Sequence, residues 1–144
     1  MRVPRRQARG LRRCWEATAR EGGYEWVVRV RTDVYHGFAL PSLRELPVLR
    51  EDAVYAGFVG GVHCGAPWVD DRVALLHGAR AQALYLRRFA SALTESATRT
   101  APECLLGAVL RNGSLRVRVH DIRSLVAEDA RNPCTKANAV IVRK

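Results

Sequence analysis

Residues 24–32 read YEWVVRVRT, and this stretch limits the possible folds more than any other in the chain. Aromatic and β-branched residues dominate it, the composition of a strand in a packed sheet. Side chains alternate across a strand, so Trp26, Val28 and Val30 share one face. Val27, Arg29, Arg31 and, if the strand continues, Asp33 share the other. The pattern predicts a strand with its core on the first face and a charged end on the second.

The flanking segments supply partners for that strand. Arg5 to Arg20 has Ala8, Leu11, Trp15 and Thr18 along one side of a helix and arginines on the other, with Glu21-Gly22-Gly23 as the stop. Pro41 to Pro47 reads as a short turn or helical segment, and Val54 to Val59 as a second strand. Gly60 to Trp68 reads as a glycine-rich loop, long enough to suggest function or mobility. Val73 to Leu76 reads as a third strand. Ala79 to Leu93 predicts a helix with Ala79, Ala83, Leu86, Phe89, Ala90 and Leu93 in its apolar stripe. Pro102 to Leu110 predicts another, closed by Asn112-Gly113, and Leu115 to His120 alternates as a last strand. This order gives one α/β domain over residues 1–144, a mixed sheet flanked by helices, with a basic flexible start at 1–6 and an irregular tail at 121–144. In open α/β sheets, ligands gather at the carboxyl ends of strands.

Composition narrows the function classes. An apolar share of 48% suits a globular core and excludes wholesale disorder. A formal charge of +10 invites a polyanion as partner, because phosphate backbones reward cations through counterion release. Of the 24 basic residues, all but Lys136 and Lys144 are arginine, leaving 22, and Arg2, Arg5, Arg6, Arg9, Arg12 and Arg13 crowd the start. No RNP-type aromatic segment, zinc-finger spacing or GXXG loop accompanies them, so nucleic acid is a possible partner without a motif to favour it. No apolar run reaches the ~20 residues of a transmembrane helix. Cys14, Cys64, Cys104 and Cys134 are too scattered for a zinc site; they permit one or two disulfides in an oxidising lumen, or buried thiols. Dinucleotide-binding, P-loop, esterase and zincin signatures are all missing.

The segments YEWVVRVRTDVYHGFALPSL, VYAGF, VDDRVALLHGARAQALY and APECLLGAVL, in that order, resemble the catalytic half of a GT-A-type glycosyltransferase-like family of plants, algae and large viruses. The resemblance covers roughly Gln7 to His120 and rests on three motifs: Arg29-x-Arg31-x-Asp33 at a strand end, Asp70-Asp71-Arg72 before a strand and helix, and Pro102-Glu103 opening a helix. It implies the C-terminal part of a GT-A fold, lacking the N-terminal half that holds the nucleotide base. It further implies transfer of a hexose from a nucleotide-sugar donor to a hydroxyl on a glycan, protein or small molecule, assisted by Mn²⁺ or Mg²⁺. A eukaryotic glycosyltransferase would work in the Golgi lumen or secretory pathway; otherwise the cytoplasm is expected.

Such a transfer releases a diphosphate, whose growing charge can be met by a metal on hard carboxylate oxygens or by guanidinium forks. Arg29 and Arg31 are therefore the candidate phosphate-binding residues and Asp33 the candidate metal ligand. Alternatively, arginine and aspartate simply satisfy each other at the strand end. Asp70 and Asp71 are candidates to accept a proton from, or orient, the acceptor; otherwise they cap the next element or pair with Arg72. Thr100 to Glu103 forms a capping-box pattern, a sufficient structural reason for Glu103 beside a catalytic one. His36, Trp68 and Arg72 complete the secondary candidates, with Trp68 able to stack on a sugar ring or anchor a loop. Two other readings stand beside the enzyme: a non-catalytic domain binding nucleic acid or an acidic glycan, and an inactive remnant of a transferase.

Overall fold

The alternation in residues 26–30 is realised as an edge strand whose two faces enter two different apolar clusters. The computed structural model describes residues 3–31, 51–57, 59–63, 65–96, 100–113 and 117–122. Helix α1 (Val3–Arg20) leads into β1 (Trp26–Val30), followed by β2 (Ala53–Ala56), β3 (Val59–His63), β4 (Ala66–Val69) and β5 (Val73–His77). A continuous helical segment then runs through α2 (Ala79–Gln82), a π-helical turn (Ala83–Arg88) and α3 (Phe89–Glu95). Helix α4 (Pro102–Gly113) and strand β6 (Arg118–Asp121) complete the order. Four strands form a mixed sheet in the order β1-β5-β2-β6, antiparallel except for the parallel β2–β6 pair. The α/β class and the mixed sheet thus match the sequence pattern.

Helices cover one face of that sheet. Val54 and Ala56 of β2 and Ala74 and Leu76 of β5 pack there against Ala8 and Leu11 of α1, Tyr85, Phe89 and Leu93 of the long helical segment, and Leu106 and Leu110 of α4. The opposite face carries a smaller cluster of Ala53, Tyr55, Val73, Leu75 and Ile122, with Trp26 and Val28 against it. Each fully buried Leu, Val or Phe contributes about 1.5–3 kcal/mol relative to its exposed state, so the helix-covered side dominates the stabilisation.

This arrangement reverses one expectation. Val27 packs with the larger, helix-covered cluster, so Arg29 and Arg31 on its face point under the helices and away from open solvent. Trp26 instead lies over Tyr55 and His77 on the other face, with ring centroids 6.1 and 4.7 Å away. Apolar content did not identify the more deeply covered face, because the arginines bring polar partners with them.

The glycine-rich segment after β2 is the second correction. It forms a two-stranded antiparallel hairpin, β3 with β4, in place of the expected loop. A bulge between Gly60 and Val62 breaks the alternation that would have revealed the strand, and Gly61 sits there at φ 65°. Helix α4 lies directly on this hairpin: a β-carbon at Gly107 would stand 1.7 Å from the Pro67 carbonyl oxygen. Only glycine allows main chain to approach main chain so closely.

The π turn has a sequence cause. Ala81, Tyr85, Phe89 and Leu93 are buried at intervals of four residues. In a uniform α-helix such a series drifts about 40° per step, so it could not stay on one face for long. A wider turn inserted at Ala83–Arg88 absorbs the drift and keeps Tyr85 and Phe89 packed edge to face, 5.9 Å between centroids. Among the cysteines, Cys14 is an exposed free thiol on α1, whereas Cys104 is buried and disulfide-bonded.

Candidate functional site

Register places two of the three motifs side by side. Val30 pairs with Val73 in the β1–β5 ladder, and the Arg31 N–H donates to the Arg72 carbonyl at 2.8 Å. The carboxyl end of β1 and the Asp70-Asp71-Arg72 turn, forty positions apart in the chain, therefore share one edge of the sheet.

Asp71 is the centre of this edge and has no exposed surface. Arg31 Nη1 lies 3.2 Å from Oδ1 and 3.4 Å from Oδ2, and Arg29 Nη2 lies 3.9 Å from Oδ2. From above, Gln7 of α1 donates its Nε2 to Oδ2. One buried carboxylate thus serves two guanidinium groups whose side chains are 9% and 22% exposed. Burying a charge is costly unless it is paired and hydrogen-bonded, and Asp71 meets that condition for itself.

Asp70 is 6% exposed and holds a different arginine. Its Oδ1 accepts the Arg72 backbone N–H at 2.9 Å and Arg72 Nε at 2.8 Å, while Oδ2 accepts Nη2 at 2.6 Å. This fork is charge-assisted and two-pronged, the strongest form of such a pair. It raises the Arg72 pKa, the hydrogen bonds to Asp70 being the main cause and the charges of Asp70, Asp71 and Glu103 adding to it. Gly57 makes room for the arrangement, since a β-carbon there would meet Asp70 Oδ2 at 2.9 Å. The Arg72 side chain is 53% exposed, so its guanidinium reaches the rim while its partner stays buried.

The helical segment closes the cluster from the other side. The Tyr85 phenol is fully buried and its pKa is pushed up by desolvation, with Arg29 opposing and Asp71 reinforcing the shift. Its hydroxyl, Arg29 Nη1 and Gln7 Oε1 are buried without a hydrogen-bond partner among the described residues. Among the described residues, the guanidinium groups of Arg29, Arg31 and Arg72 stand with the carboxylates of Asp70, Asp71 and Glu103, three charges of each sign.

The remaining candidates lie at different removes. Glu103 stands half-buried in the first turn of α4, close enough for its charge to act on Arg72. Trp68 is half-buried on β4, opposite Gly60, two positions before Asp70. Asp33 and His36 lie outside the described residues. Among the described residues, no three His, Cys, Asp or Glu side chains are grouped to hold a metal ion. The carboxylates of Asp70 and Asp71 are already occupied by arginines, so they do not form a ready metal cradle.

Gln7, Gly57 and Tyr85 were not anticipated as members of the cluster. Gln7 did carry a signal: it stands four positions before Leu11, a polar residue at the border of a buried stripe. Tyr85 carried one in the four-residue spacing described above. Gly57 carried none, because its role depends on Asp70 approaching across the sheet. Comparisons with protein-family models, with curated proteins and with solved structures find no match.

Proposed function

We propose that the chain is a GT-A-like domain that moves a hexose from a nucleotide-sugar donor to a hydroxyl acceptor, with the donor diphosphate lying along the edge formed by β1 and the Asp70-Asp71-Arg72 turn. The observation that carries this reading is the convergence of three motifs, Arg29-x-Arg31, Asp70-Asp71-Arg72 and Glu103, at one sheet edge where the Arg72 guanidinium reaches solvent. When the sugar departs, negative charge accumulates on the leaving phosphate oxygens, and fixed cationic donors aimed there lower the barrier. Arg72 is suited to this: its fork with Asp70 fixes the guanidinium, and half its surface remains open. Arg31, held by Asp71, stands behind it.

The two aspartates divide their work in this reading. Asp71, fully enclosed, positions Arg31 and Arg29. Asp70 retains a little surface at the rim and is the one able to meet an acceptor hydroxyl. Asp33, two positions beyond Arg31, is the proposed ligand for Mn²⁺ or Mg²⁺, which would neutralise the diphosphate. Trp68, on the strand that delivers the turn, would offer an apolar ring to a sugar face. The disulfide at Cys104 is compatible with an oxidising secretory lumen.

A thermal-shift series with UDP, GDP, ADP and CDP, each with and without Mn²⁺, tests the proposal. A ligand at a hundred times its Kd stabilises the native state by about 2.7 kcal/mol, a rise of several degrees in Tm. At least one diphosphate should produce such a rise, Arg72→Ala should reduce it, and Asp33→Ala should remove its metal-dependent part. No rise with any diphosphate would leave the cluster a structural one and sink the transferase reading.

A further inference from the structure

Helix α1 has a second, outward face that the proposed transfer does not use. Its apolar stripe is seated, with Ala8 and Leu11 buried and Trp15 packed on the core. Arg5, Arg6, Arg9, Arg12, Arg13 and Arg20 are all exposed. At 3.6 residues per turn these six fall within an arc of about 120°. Glu16 is the single acid in that arc, so the face carries six positive charges against one negative.

The placement is unfavourable for the helix by itself. No acidic residue occupies the first turn, and the arginines crowd the N-terminal half, where the helix dipole repels cations. Arg5 with Arg9 and Arg9 with Arg13 stand at i, i+4, a spacing at which like charges destabilise. None of Arg5, Arg6, Arg9, Arg12 and Arg13 has a carboxylate partner among the described residues. An external polyanion would relieve both penalties. The π turn against which α1 packs adds exposed Arg87 and Arg88.

We propose that this arginine face of α1 docks on the phosphate backbone of duplex nucleic acid. From Arg5 to Arg20 the face is about 22 Å long, a span over which a duplex presents on the order of a dozen phosphates. Guanidinium forks suit phosphate oxygens better than ammonium groups do. A membrane surface fits less well, because an interfacial helix binds by inserting its apolar side, and here that side is already buried in the core.

The test is fluorescence anisotropy of a labelled duplex about two helical turns long, titrated with the full chain between about 50 and 200 mM salt. With about four phosphates neutralised, log Kobs falls with log salt at a slope of about −3.6, a loss of roughly 150-fold across that range. Substituting Arg5, Arg6, Arg9 and Arg13 together by Gln, which keeps helix propensity, should bring the slope close to zero; Lys at the same positions should restore most of it. Should the fourfold Gln variant lose its far-ultraviolet helix signal, the single changes Arg9→Gln and Arg13→Gln serve instead, each lowering the slope by about 1. Three results overturn the proposal: no duplex binding at the lowest salt, a slope unchanged by the Gln substitutions, or binding to phosphatidylserine vesicles as tight as to the duplex.

Discussion

Arg29 and Arg31 on β1 and the arginines of α1 are the same residue type in opposite physical situations. The strand pair is desolvated and shares one enclosed carboxylate, with Gln7 bridging down from the helix. The helix group stands in water, with Arg5, Arg6, Arg9, Arg12 and Arg13 lacking a carboxylate partner among the described residues, and repels itself. Burial makes each charge on the strand matter to stability, because removing a partner leaves an ion in a medium that solvates it poorly. Exposure makes the helix charges nearly neutral for folding and leaves them free for a ligand. A net charge of +10 therefore says little until it is divided between these two populations.

The sharpest way to break the contrast is Asp71→Ala. It removes the buried carboxylate that Arg29 and Arg31 share and should lower the unfolding free energy by about 3–5 kcal/mol in urea titration. A loss below about 1 kcal/mol would mean that water already reaches the pair. Removing one cation instead is milder: in Arg29→Met, Arg31 still answers Asp71 and the partnerless Nη1 disappears, so the cost should stay under about 1.5 kcal/mol.

Tyr85→Phe should be neutral or stabilising by up to about 1 kcal/mol at neutral pH, since it deletes a buried hydroxyl without a partner. This substitution also has a pH signature. The folded phenol titrates above its ordinary value of 10.0, so the native state keeps a proton that the unfolded chain gives up. Stability is then intact below pH 10.0 and falls as pH rises from there towards the folded value. The Phe variant should lack that part of the alkaline decline; equal slopes for both proteins would show that the ring is solvated. The smallest effect belongs to the helix face, where Arg9→Gln should shift stability by no more than about 0.5 kcal/mol. A large loss there would erase the distinction between the two groups.

Local patterns made much of the fold legible. Helix α1, strands β1 and β5, the long helical segment and α4 all follow from periods that any single segment displays. The hairpin β3–β4 did not, because a bulge and positive-φ glycines disguised its alternation as a loop. The facing of β1 was also hidden: alternation groups Val27 with Arg29 and Arg31 but cannot say which group the helices will cover. The pairing of Arg31 with Asp71 depends on the β1–β5 register, a non-local quantity that no window of sequence contains. For the candidate site, the residue types and their order were visible in the sequence, while the division between buried holders and a rim arginine was not.

The contact between Gly107 and Pro67 has a mechanical consequence. Helix α4 rides on the hairpin with no side chain as a cushion between them, so sliding the helix would drive backbone atoms into one another. Glu103 stands one turn upstream on that same helix, and the hairpin leads directly into Asp70. The spacing between the glutamate and the Arg72 fork is thus gauged by rigid peptide planes, and ordinary repacking of neighbouring residues leaves it unchanged.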